Sequence, residues 1–200
     1  MSRTLTPLAR DFVGNAPAEE LEKAARDLPS DPKELREILR QFRVRSWPIE
    51  LQPLFALTKH KSWKVVRAAY DLLERIESEE VRAFALKKLK HRYEGALAAD
   101  VIVKNYRPGD EDLIRERARS IRSPYELHGL LASLRDIVEA HPEVDTDHVF
   151  FLYDQTNCAF CRYFVVKLMK ERGLVTEQIR EECLHDAEED TRLLFDGPAA

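Results

Sequence analysis

Apolar positions recur along this chain with the three-and-four spacing of a single helix face, and polar punctuation interrupts them at short intervals. The segments 18–28 (AEELEKAARDL) and 32–42 (PKELREILRQF) predict two short helices, parted by Pro29, Ser30, Asp31 and Pro32. Asp31 suits the cap of the second and Pro32 its first helical position, where a missing N–H costs nothing. A third helix is expected from about Pro48 to Thr58. A fourth starts near Ser62, with Val65, Val66, Ala69, Leu72, Leu73 and Ile76 as its apolar stripe. Ser78 followed by Glu79 and Glu80 opens a fifth, since a hydroxyl cap and early acids both favour a helix start. A sixth runs from about Tyr93 to Tyr106. After the break at Arg107, Pro108, Gly109 and Asp110, further helices are expected near 111–121, 124–140, 146–155, 158–172, 175–185 and 188–195. Gly173 ends the tenth and Thr176 with Glu177 begins the eleventh.

The run VFFLY at 149–153 is the one strand candidate, and helix starts on both sides make it the buried face of a short helix instead. About twelve helices joined by short loops predict an all-α fold. Two architectures share that rhythm: an irregular bundle, and a solenoid of antiparallel helix pairs.

Three places repeat a form: an apolar helix end, a short polar turn, then a helix with an arginine near its start. They are Leu57 to Arg67, Leu152 to Arg162 and Leu184 to Arg192. An aspartate in such a turn can accept N–H groups of the next helix, and the arginine can reach back to an acid of the turn or of the neighbouring repeat. On these residues the chain resembles the HEAT-like repeat superfamily, whose second helices carry Asp, then Val-Arg, then small apolar residues. WKVVRAAYDLL at 63–73 and DAEEDTRLLF at 186–195 follow that form, with Val66 and Arg67 in one and Asp186, Asp190 and Arg192 in the other. Lys59 or His60 stands where the first repeat would have its aspartate, and Cys161 precedes Arg162 where valine is usual.

The resemblance implies an alpha-alpha superhelix of about six antiparallel helix pairs in a single domain, 1–200. Residues 1–47 would be an N-terminal helical cap and 48–195 the repeats, with Arg67, Arg162, Asp186, Asp190 and Arg192 stabilising them. It also implies non-enzymatic recognition of another macromolecule, a protein first and a nucleic acid second. One DNA-repair branch of the same shape resembles an alkylpurine glycosylase, so fold by itself does not choose between binding and base excision.

Composition agrees with a helical globular chain: of 200 residues 44% are hydrophobic and 34% charged, with only six glycines. No apolar run is long enough to span a membrane, and the start MSRTLTPLARDFVG has no apolar core of a secretion signal, so a cytoplasmic address is expected. Three cysteines cannot all pair within the chain, which fits a reducing compartment. The net charge of −4 hides a polarity: residues 1–107 hold 21 Lys and Arg against 16 Asp and Glu, and residues 108–200 hold 11 against 20.

Candidate chemistry centres on Cys158, Cys161, Cys183 and His185. If 158–172 and 175–185 form a hairpin across Gly173, the start of the first lies beside the end of the second. The four side chains then make a sensible zinc set, because thiolates and imidazole suit that ion and a spacing of three puts both cysteines on one side. Ordinary core cysteines with no cofactor are the first reading, since free cysteine is among the most buried residue types, and structural zinc is the second. Thiol chemistry is the third, with Asn157 as a helix cap that would lower the pKa of Cys158.

A basic stretch at 59–92 holds ten Lys and Arg against five acids. Lys61, Trp63, Lys64, Lys87, Lys88, Lys90 and Arg92 could contact phosphates and stack a base, or simply form a solvated face around a packed tryptophan. A base-excision reaction would need a carboxylate beside an aromatic-lined pocket; Asp71 lies two turns after Trp63 and Asp100 follows the basic segment, and neither belongs to a recognisable signature. The acidic runs lack the ligand spacing of a calcium loop, and no phosphate-binding glycine loop or hydrolase elbow occurs.

Overall fold

The computed structural model describes residues 16–195, and all their regular structure is helical: twelve α-helices, one short 3-10 turn and no strand among them. The chain divides into two compact units, the division falling between Ala85 and Leu86. Of the expected cap at 1–47, residues 1–15 lie outside the described residues.

The first unit contains α1 (Ala18–Arg26), α2 (Pro32–Gln41), the 3-10 turn Phe42–Val44, α3 (Gln52–Leu57), α4 (Trp63–Leu73) and the start of α5 (Glu79–Leu89). The expected cap forms at α2: Asp31 accepts from the backbone N–H groups of Lys33 at 2.9 Å and Glu34 at 3.0 Å, with Pro32 in the first turn. Helix α4 packs against both α2 and α3. Its Val65, Val66, Ala69, Leu72 and Leu73 are all buried, as their spacing requires. Phe55 stacks on Phe84 at 4.4 Å, and Phe42 meets Trp47 edge-on at 5.1 Å. Each such side chain removed from water contributes about 1.5–3 kcal/mol.

The second unit contains the end of α5, then α6 (Gly95–Lys104), α7 (Asp110–Ser120), α8 (Pro124–Ala140), α9 (Thr146–Gln155), α10 (Ala159–Glu171), α11 (Glu177–Leu184) and α12 (Glu189–Leu193). Helix α8 is its organising element, packing against α6, α7, α9 and α10. Leu130, Leu134, Ile137 and Val138 on α8 are fully buried. Asp110, itself buried, accepts from the Arg107 N–H at 2.9 Å and so closes the turn that opens α7, where Gly109 takes the left-handed conformation at φ 99°. The run 149–153 is helical, with Val149, Phe151, Leu152 and Tyr153 buried in α9. Gly173 adopts φ 67°, and the bonds Gly173 N–H to Lys170 O and Leu174 N–H to Met169 O satisfy the last carbonyls of α10. Thr176 accepts from the Ile179 N–H at 3.3 Å and starts α11.

Candidate metal centre

Helix α10 presents two chemically distinct faces at its first turn. Cys158 is the N-cap residue, its thiol making no capping bond, and Cys161 follows in the first turn. Asn157 therefore lies outside the cap position expected for it. Because successive residues on a helix are turned by about 100°, Cys161 and Arg162 look in different directions. Cys161 looks toward α8, where its Sγ lies 3.7 Å from Nε2 of His128. The donor atoms of His128, Cys158 and Cys161 all fall within 4.8 Å of one another, a Cys2His group of the kind that can hold zinc. Burial, followed by the neighbouring Cys158, pushes the Cys161 thiol up from its ordinary range, while Arg135 pulls the other way.

Arg162 looks toward α9 and α11. Its Nη2 donates to the Tyr153 hydroxyl at 2.8 Å, its guanidinium lies 4.6 Å from that ring's centre, and its Nε stands 3.4 Å from Asp186 Oδ2. Tyr153 in turn donates to Glu182 Oε2 at 2.6 Å. Burial, reinforced by that bond to Glu182, pushes the Tyr153 hydroxyl up to about 12. The same bond holds the Glu182 carboxyl below its usual range. Cys183 is fully buried beside this network, and burial pushes its thiol up.

The four side chains singled out in sequence thus separate. Cys158 and Cys161 come together with His128, whereas neither Cys183 nor His185 joins that group among the described residues. The cause is rotational: Cys183 belongs to the Arg162 side of α10. His185 follows the end of α11 as its C-cap residue and lines a shallow cavity of about 490 Å³ with Glu181, Glu182 and Leu184. His128 carried one legible signal, a histidine on the polar face of an otherwise apolar-striped helix (ELHGLL). Its partners lie thirty or more residues away, so only the packing of α8 against α10 reveals it.

Aromatic side chains flank the Cys2His residues along α8 and α10. Tyr125 lies one turn before His128 and is 81% exposed; Phe160 adjoins Cys161 and is 62% exposed. Phe160 and Tyr163 each meet Phe164 edge-on at 5.1 Å, and Arg135 stacks over Phe164 at 5.3 Å.

No family model, curated protein or solved structure matches the chain.

Asp186 accepts from the Glu188 N–H at 2.9 Å, and Arg192 donates back to the Asp186 carbonyl at 2.6 Å, so this turn and α12 hold each other. Asp190 is exposed in the first turn of α12. Arg67 reaches forward to Asp71 on its own helix, 3.0 Å away, and not back to its turn, because that turn carries Lys59, His60 and Lys61 in place of an acid. Asp71 is also 3.7 Å from Arg43, and Asp100 accepts from Ser133 at 2.8 Å. Lys61, Lys64, Lys87, Lys90 and Arg92 are exposed, and Trp63 is 52% exposed rather than packed. Lys88 is different: it is half-buried and bonds both oxygens of Glu94, at 2.8 and 3.0 Å.

Among the described residues, no helix is long and apolar enough to cross a membrane.

Proposed function

We propose that this chain is a non-enzymatic, HEAT-like recognition protein that binds a protein partner through the face where α8 and α10 begin. The repeat form is supported by the order of helix contacts in the second unit. Even-numbered helices follow one another, α6 to α8, α8 to α10 and α10 to α12, while α7, α9 and α11 each pack on the helix that follows. That alternation is what stacking of antiparallel pairs produces. The Asp186 turn, with its aspartate on the next helix start and Arg162 and Arg192 reaching it, supports the same reading.

One observation carries the choice of a protein partner: two large aromatic side chains, Tyr125 in the first turn of α8 and Phe160 in the first turn of α10, stand in solvent, and Phe160 meets Phe164, over which Arg135 stacks. Exposed aromatics with an adjacent arginine match the composition of protein interface centres, and their desolvation supplies affinity. The acidic balance of residues 108–200 favours a basic partner and speeds its approach.

A nucleic-acid partner is the second reading, carried by the exposed Trp63 between the exposed Lys61 and Lys64. The experiment is quantitative affinity capture from the native cells with three baits: the full chain, Tyr125→Ser/Phe160→Ser, and Lys61→Glu/Lys64→Glu. A protein captured by the first and third baits but not the second is the expected result. Capture that fails only with the third bait, and that nuclease treatment abolishes, overturns the proposal in favour of the second reading.

A further inference from the structure

Around a tetrahedral zinc ion with Zn–S bonds of about 2.3 Å and a Zn–N bond of about 2.0 Å, neighbouring donors stand about 3.5–3.8 Å apart. Cys161 Sγ and His128 Nε2 already hold that separation, at 3.7 Å. Cys158 Sγ lies within 4.8 Å of both, a distance that small side-chain rotations close. Two thiolates and an imidazole are soft and borderline donors, which select zinc-class ions over calcium or magnesium. The first turn of α10 adds free backbone N–H groups and the positive end of a 13-residue helix, both of which favour thiolates.

The number of donors matters as much as their kind. A structural zinc site has four protein ligands, whereas three leave a position for a ligand from solution. Among the described residues no further His, Cys, Asp or Glu joins the group. His128 is exposed and the two cysteines are only half-buried, so the remaining side of the group meets solvent. Cys183, fully buried on the other side of α10, has no route to it.

We propose that His128, Cys158 and Cys161 bind one zinc-class ion through three bonds and leave its fourth, solvent-facing position to an exchangeable ligand, either water or a small imidazole or thiol donor. The ion cross-links the start of α10 to α8, and its open position makes it accessible to incoming donors. Binding releases the two thiol protons, so affinity falls as pH falls.

The test uses the full chain, purified reduced with zinc in excess and then freed of loosely held metal. Elemental analysis is expected to find one zinc per chain. Stoichiometric binding is lost in His128→Ala and in Cys161→Ser, and kept in Cys183→Ser and His185→Ala, with circular dichroism confirming that each variant is folded. His128 is exposed, so its removal leaves the core intact. Cobalt in place of zinc is expected to give the absorption of a tetrahedral site with two thiolates, and added imidazole shifts that spectrum by entering the fourth position. Three results overturn the proposal: no retained metal, or a Cys158–Cys161 disulfide formed in its place; metal that persists unchanged in His128→Ala; and a cobalt spectrum indifferent to imidazole.

Discussion

Tyr153 is the residue on which the interior of the second unit turns. Its hydroxyl donates to Glu182 and accepts from Arg162, and Arg162 reaches on to Asp186. Tyr153→Phe keeps the ring and its packing but leaves both charged partners short of a bond. The expected cost is about 1–2 kcal/mol in urea unfolding, toward the low end for such bonds because Glu182 is partly exposed.

The pH dependence has a definite sign. The folded hydroxyl, at about 12, is raised above the value of about 10 for an unfolded tyrosine. Between those values the unfolded chain releases the proton first, so the stability present below pH 10 is lost as pH rises toward 12. Tyr153→Phe is therefore expected to be less stable than the wild type at neutral pH and to approach it at alkaline pH, as unfolding midpoints across that range will register. Glu182 acts oppositely: its depressed carboxyl contributes stability that is lost as pH falls through the acid range. Arg162 and Asp186 were legible in the repeated turn pattern, but Tyr153 was not. In VFFLY it counts as one more apolar position, and nothing local to it names Glu182, twenty-nine residues on.

Among the elements, α6 and α8 approach each other closely at Ala96 and Gly129, where each carries a small residue. A methyl built on Gly129 would stand 2.8 Å from Cβ of Ala96, a clash between groups fixed to two backbones. Glycine inside α8 costs about 0.5–1 kcal/mol in helix propensity relative to alanine, so Gly129→Ala would stabilise an isolated helix. Here the forced separation dominates, and Gly129→Ala is expected to destabilise the protein by about 1–3 kcal/mol. Adding Ala96→Gly returns the space; the pair measured as a double-mutant cycle should show favourable coupling, and simple additivity would remove this account of the contact.

Element existence followed from periodicity and caps: Asp31, Ser123 and Thr176 each cap a helix expected from the pattern. Element facing did not follow. The zinc set drawn from the α10–α11 hairpin treated Cys161 as facing α11, whereas Arg162 takes that side and Cys161 turns to α8. Rotation about a helix axis by one residue is enough to exchange His128 for Cys183, and it is decided by burial of Val165, Val166 and Met169 further along.

At the scale of the whole molecule, charge separates the two kinds of partner. The chain carries −4 overall, and its latter part, 108–200, holds nearly twice as many acids as bases, an unfavourable field for a polyanion. The basic stretch also offers less than its composition suggests, because Lys88 is held by Glu94. Binding to phosphates by the remaining exposed cations depends on counterion release and falls steeply with salt. A fluorescent single-stranded oligonucleotide is therefore expected to bind weakly at low salt and not measurably at physiological ionic strength. Lys87→Glu or Lys90→Glu should lower the low-salt affinity, and Lys88→Gln should leave it nearly unchanged. A partner held by Tyr125 and Phe160 behaves differently: salt slows its association with the acidic surface, while its dissociation, set by buried aromatic contacts, changes little. Stopped-flow anisotropy across ionic strength distinguishes the two. An oligonucleotide affinity tighter than about a micromolar at physiological salt exceeds the range of non-specific phosphate binding and would assign the exposed Trp63 to stacking rather than to chance exposure.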